Sequence, residues 1–166
     1  MYICKMRSIE EEIKQKKFAN AEQRAFINLF FTANFLELRQ NQFFKEFNIS
    51  GQQYNILRIL KGQYPKSATV KLLIERMLDK SSNASRLVDK LKLKGLLSRE
   101  QDPKDRRAVK VKITQEGLNL IDRINERMKR EGPTLGITED EAIMFSNLLD
   151  KIRNNNSWVL EWNLIK

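Results

Sequence analysis

The chain of 166 residues contains no histidine, a single cysteine (Cys4), three prolines and six glycines. Without histidine, the common Cys/His zinc sites and His-based catalytic triads are excluded. One cysteine cannot close an intrachain disulfide, which fits a reducing compartment. No run approaches the roughly 18 apolar residues of a membrane-spanning helix, and the first eight residues lack the apolar core of a signal peptide. These features lead us to expect a cytoplasmic protein with no membrane partner. No Gly-rich phosphate loop, nucleophile motif or metal cluster is present, so no enzymatic activity and no cofactor are expected.

What is present is charge of one sign in one place. The net charge is +10, and Lys61 to Gln115 carries fifteen basic against six acidic side chains, hence +9 of it. Such a concentration favours a polyanionic partner, nucleic acid or an anionic membrane. With 41% hydrophobic residues, the length suits one domain that can bury a core without staples.

The few glycines and prolines divide mostly helical spacing. From Ser8 to Phe47, apolar residues recur at three- and four-residue intervals, and eight of the nine phenylalanines fall here. Phe31 and Phe35 lie off the main stripe, so this helix has apolar residues on more than one face, which suggests a partner chain or a ligand pocket, the alternative being that both faces pack within one monomer. Ser50 caps a helix carrying Tyr54, Ile56, Leu57 and Leu60, which Gly62 closes. Val70, Leu73, Ile74 and Met77 define a helix over 69–78, and Ala84, Leu87, Val88 and Leu91 one over 81–94. Two amphipathic helices joined this tightly form a helix-turn-helix candidate. Gly95 is placed at C′, with Leu96 making the hydrophobic contact of a Schellman motif.

Beyond Gly95 the period falls to two. Leu96–Glu100 and Ala108–Ile113 read as a two-stranded hairpin around a charged turn, Gln101 to Arg106. Thr114 caps a helix with the stripe Leu118, Ile121, Ile124 and Met128. Thr138 and Glu141 have capping-box spacing and open the last helix. Trp158, Leu160 and Trp162 make the tail apolar enough to need a docking surface.

The helix over 81–94 turns Ser82, Asn83, Ser85, Arg86, Asp89 and Lys90 outward. Short hydroxyls and an amide suit phosphates or base edges, and Arg86 reaches a guanine. At the hairpin tip, Lys104, Arg106 and Arg107 suit a narrow, electronegative minor groove.

The run Asp79 to Leu91 with Lys94-Gly95-Leu96 resembles the recognition helix of the MarR family of winged-helix transcriptional regulators. Asp102-Pro103-Lys104-Asp105-Arg106-Arg107, Val109, Val111 and Ile113 to Gly117 resemble that family's wing, and Ile49 to Tyr54 with Leu57 its second helix. The resemblance spans about 18 to 152. It implies a mainly α fold with a small β-hairpin wing: a six-helix, MarR-like winged helix-turn-helix homodimer. Residues 1–48 and 138–166 would be dimerisation helices and tail, and 49–131 the winged helix-turn-helix with its connecting helix, within one structural domain. It further implies a repressor on a pseudo-palindromic operator in double-stranded DNA. Recognition-helix contacts would come from Ser81, Ser82, Asn83, Ser85, Arg86 and Lys90, and wing contacts from Lys104, Arg106 and Arg107. Arg107 leads among these, as the family's wing arginine. Asp105 would orient the wing, through Arg99.

The resemblance also allows a small-molecule effector, unidentified, in a pocket between the Phe-rich helix, the Tyr54 helix and the helix after the wing. Cys4 lies near the cysteine of peroxide-sensing members, but it precedes the predicted helix and lacks an evident electropositive neighbourhood; an idle thiol is the reading. The alternative function is a non-specific architectural or RNA-binding winged helix, which would not discriminate an operator from random duplex.

Overall fold

The computed structural model describes residues 7–80, 82–101, 109–132 and 134–155. Two compact units are present, Met1–Pro133 and Thr134–Lys166.

The first unit opens with α1 (Ile9–Glu12), started by a capping box between Ser8 and Glu11. It is not continuous with the next helix, contrary to the single helix expected from Ser8 to Phe47. Lys14 takes a positive φ of 55°. Asn20 then starts α2 (Ala21–Lys45) afresh, its side chain accepting from the Gln23 N–H at 2.8 Å. A competing N-cap thus overrides an apolar spacing that is weak between Ile13 and Ala25. Arg24 bridges the break, its Nε 2.6 Å and Nη2 3.2 Å from the two Glu10 carboxylate oxygens.

Helix α3 (Gly51–Gln63) opens on a Ser50/Gln53 capping box. Gly62 does not end it: the helix runs through Gln63 and stops at Tyr64, ahead of Pro65, because a residue preceding proline is pushed out of the helical region. Strand β1 (Ala68–Thr69) leads into α4 (Val70–Arg76), capped by Thr69, and α5 (Ala84–Leu93) follows. The α5 terminus forms a Schellman motif: Gly95 has φ 70°, its N–H reaches the Lys92 carbonyl, and the Leu96 N–H reaches that of Leu91.

Strands β2 (Leu97–Gln101) and β3 (Val109–Ile113) pair antiparallel, with Leu97 opposite Ile113 and Arg99 opposite Val111. The sheet has three strands rather than the expected two, in the order β1-β3-β2, with Ala68 opposite Val111. A two-residue strand shows no alternation to read, which is why β1 is invisible in the sequence. Thr114 caps α6 (Gln115–Glu131). Its inner face carries Gly117, Leu120, Ile121 and Ile124, with Leu118 and Met128 half-buried, so the stripe is rotated from the expected one.

One core joins these elements. Phe44 and Ile49 meet Ile56, Leu57 and Leu60 of α3, Leu73 of α4, Ala84, Val88 and Leu91 of α5, Val111 and Ile113 of β3, and Ile121 and Ile124 of α6. In the second unit, α7 (Glu139–Arg153) opens on a capping box between Thr138 and Glu141 and buries no residue. Glu141 accepts from the Thr138 backbone and hydroxyl, which lowers its pKa.

Two outcomes follow from this packing. A Cβ at Gly117 would lie 2.2 Å from the Leu96 carbonyl oxygen and 2.7 Å from Ile113 Cγ1. Gly117→Ala should therefore destabilise the protein by about 1–3 kcal/mol in denaturant melts, as overpacking does; an unchanged midpoint would contradict the packing of α6 on the sheet. The Arg24 guanidinium holds the Glu10 carboxyl down to about 2. Because the folded pKa is the lower one, the stabilisation from this pair is present above the ordinary carboxylate range and fades as pH falls toward 2. The Glu10 side-chain resonance should titrate near that pH, and Arg24→Ala should return it to the ordinary range.

Candidate nucleic-acid interface

The helix-turn-helix is α4, the turn after it, and α5. Three polar side chains fix that turn against α3. Asn55 Oδ1 accepts from the Leu78 N–H at 3.0 Å. Gln52 Nε2 donates to Asp79 Oδ2 at 2.8 Å, and Ser82 Oγ donates to the same oxygen. Asn83 then serves as N-cap, its side chain accepting from the Arg86 N–H at 3.0 Å. The helix starts at Ala84 rather than at Ser81, because this cap satisfies a first-turn donor.

The apolar row Ala84, Val88 and Leu91 faces the core, so Ser85, Arg86, Asp89 and Lys90 face outward and are exposed. Among the described residues, neither Arg86 nor Lys90 makes an ion pair, and a cation so placed retains its donors for a phosphate or a base edge. Ser82 is half-buried and its hydroxyl is engaged with Asp79, while Asn83 is exposed but occupied by the cap. Arg99 on β2 pairs with Asp89 on α5. Ser81, Lys104, Asp105, Arg106, Arg107 and Cys4 lie outside the described residues.

A groove of about 520 Å³ lies between α3 and α6. Tyr54 Oη is 3.1 Å from Asn125 Oδ1 and 3.6 Å from the Met128 sulfur. Arg58 Nη1 donates to Asn125 Oδ1 at 3.3 Å and to Tyr54 Oη at 3.4 Å, both neutral partners. At the rim, Lys61 meets Asp122 at 2.5 Å and Lys129 meets Glu126 at 2.8 Å. The Lys129 ammonium lowers the Glu126 pKa. Phe44 of α2 stands behind Tyr54, ring centroids 4.6 Å apart, and does not line this groove, whereas Phe47 lines an adjoining one of about 620 Å³ with Asp122, Glu126 and Arg127 of α6.

No side-chain role for Gln52, Asn55, Arg58, Asp79 or Asn125 is evident from the sequence, although Gln52 and Asp79 fall within the family-like runs. Gln52 and Asn55 are three apart on α3, the one local hint that a second face of that helix is in use.

The other exposed feature is apolar. Phe26, Phe30, Phe35 and Leu38 of α2 are about half exposed or more. So, in the second unit, are Ile143, Met144, Leu148 and Ile152 of α7.

A helix-turn-helix followed by an antiparallel hairpin that forms a three-stranded sheet with β1 defines a winged-helix protein. Residues 47–108 match the model of the MarR family. The chain is 30% identical over 115 residues to an uncharacterised helix-turn-helix transcriptional regulator, YkoM, of Bacillus subtilis, covering 69% of this chain and 70% of that one. Its fold is similar to an organohalide-sensing transcriptional regulator in the 2,4-dichlorophenol-bound form, with TM-score 0.71, 19% identity, and 93% and 88% of the two chains covered. It is also similar to a cysteine-to-serine mutant of MarR from E. coli complexed with operator DNA, with TM-score 0.66, 23% identity, and 82% and 99% covered. The chain belongs to the MarR family of winged-helix transcriptional regulators.

The cap of the recognition helix is directly testable. Asn83→Ala should destabilise the protein by about 0.5–2 kcal/mol and speed amide hydrogen exchange at Arg86. Unchanged exchange there would contradict the cap.

Proposed function

We propose that the protein is a cytoplasmic repressor that binds a pseudo-palindromic operator in double-stranded DNA as a homodimer. The observation that carries this reading is the pair of exposed cations Arg86 and Lys90, without an ion pair among the described residues, on the outer face of a helix whose other face is locked into the core. Ser82, Asn83 and Ser85 lie at the N-terminal end of the same helix, where backbone N–H groups favour a phosphate, and Ser81 precedes them in the sequence. Ser82 and Asn83, already hydrogen-bonded, contribute as oriented groups rather than as freely rotating ones. Lys104, Arg106 and Arg107 lie between β2 and β3 in sequence and supply minor-groove contacts, with Asp105 and Arg99 orienting the hairpin. The E. coli MarR mutant bound to operator DNA supports this mode.

The homodimer reading rests on α2 and α7, whose apolar side chains are too numerous to be left in water by a stable monomer. A twofold partner would cover them and space two recognition helices along one duplex.

We assign the α3–α6 groove to the effector. Tyr54 offers a ring face, Met128 a polarisable sulfur, and Arg58 a guanidinium whose hydrogen-bond partners among the described residues are neutral. A planar aromatic molecule with an ionised oxygen satisfies all three, and the organohalide-sensing regulator holding 2,4-dichlorophenol lends support.

Selection of bound fragments from genomic DNA tests the function. We expect recovered fragments to share a palindromic core, and random duplex to bind at least 10³-fold more weakly, as roughly that ratio separates specific from non-specific binders. Arg86→Ala should relax sequence preference with the fold intact, and Arg107→Ala should weaken binding across sequences by about 1–3 kcal/mol. Equal affinity for selected and random duplex would favour the architectural reading instead.

A further inference from the structure

The geometry points to Asp89 as the positioning residue of the wing: its carboxylate, on the recognition helix, holds the Arg99 guanidinium of β2 and sets the angle between helix and hairpin. This rests on the DNA-binding function proposed above.

Asp89 is the only acidic side chain in α5, and it sits on the exposed face between Arg86 and Lys90. An isolated carboxylate there repels phosphates, so by itself it weakens binding to any duplex. It is not isolated, because it meets Arg99. Arg99 in turn occupies the point where the hairpin leaves the body of the protein. On β2, Leu97 is buried, Ser98 and Arg99 are half-buried, and Glu100 and Gln101 are exposed. Among the described residues, the Asp89–Arg99 pair links the recognition helix to β2 directly, at the register of Val111.

The exposure of the two partners decides what this link can do. The side chains are 53% and 34% exposed, so the pair adds little to folding. It can still fix an angle. The core clamps α5 through Ala84, Val88 and Leu91, and it clamps the hairpin through Leu97, Val111 and Ile113. Those anchors, with half-buried Val109 opposite Gln101, hold the side of the hairpin turned to the core, and the charged bridge, level with Val111, ties β2 to the outward side of α5 and limits the hinge freedom that is left. Specific binding needs helix and wing to meet two grooves together; non-specific binding needs only positive charge.

The signs of the effects separate this role from simple repulsion. Full-length wild type, Asp89→Asn, Arg99→Gln, the double variant, and the exchanged pair Asp89→Arg with Arg99→Asp are titrated with a selected palindromic duplex and a random one at fixed salt. We expect Asp89→Asn to lose about tenfold affinity for the selected duplex, although it removes a negative charge. On random duplex it should bind as tightly as wild type or tighter. The double variant should lose no more than the worse single, and the exchanged pair should recover the preference for the selected duplex. Tighter binding of Asp89→Asn to both duplexes, or losses that add in the double variant, would overturn the assignment. A wild type without any preference between the duplexes would instead remove the operator-reading function. The pair is then judged by amide exchange at Glu100 and Gln101, where faster exchange in Asp89→Asn sustains the wing-holding role and unchanged exchange ends it.

Discussion

The burial of one side of α5 against α3 is the constraint from which the remaining features descend. Val88 and Leu91 are fully buried and Ala84 nearly so, packed in the same core as Ile56, Leu57 and Leu60. Each large aliphatic side chain removed from water contributes about 1.5–3 kcal/mol, whereas an exposed ion pair contributes about 0–1 kcal/mol. The core therefore holds the helix, and the surface pairs refine its setting. Because three positions of the helix are committed inward, the intervening Ser85, Arg86, Asp89 and Lys90 have no choice but to face solvent. Both ends are closed by local chemistry, Asn83 at the start and the Gly95 Schellman motif at the finish.

Helix α3 occupies a middle position in this arrangement. Gln52 and Asn55 reach the turn that precedes the recognition helix, while Tyr54 and Arg58 reach α6 across the groove. Asn55 and Arg58 are three residues apart, less than one helical turn. Any molecule that displaced the Arg58 and Tyr54 contacts with Asn125 would thus act on the same rigid element that holds Leu78 and Asp79. Charge has a different part. The excess of +9 between Lys61 and Gln115 favours attraction to any duplex, and in the function proposed above a few donors on α5 would supply preference among duplexes.

Much of this was legible in the order of residues, for local reasons. Ser50, Thr114 and Thr138 announce their helices as N-caps, and Gly95-Leu96 announces a helix end; each motif lies within a few residues and forms. The alternation over Val109 to Ile113 is likewise a local signal, and β3 forms there. What escaped was non-local or too short. Strand β1 has two residues and exists only because β3 offers a free edge. The break after α1 arises from a cap at Asn20 that outweighs apolar spacing. Gly117 was unreadable as a core position because it has no side chain to count, yet it admits the Leu96 carbonyl. At the interface, Arg86 and Lys90 follow from helical periodicity alone. Gln52 with Asp79 and Asp89 with Arg99 join residues on different elements, and no periodicity encodes such pairs.

The central claim is that two such modules, related by a twofold axis, read one duplex through α5. Hydroxyl-radical footprinting on a selected genomic fragment tests it most directly. The account predicts two symmetric protected tracts whose centres lie about 10 base pairs apart, the spacing of successive major grooves. A single unpaired tract, or uniform protection independent of sequence, would contradict it.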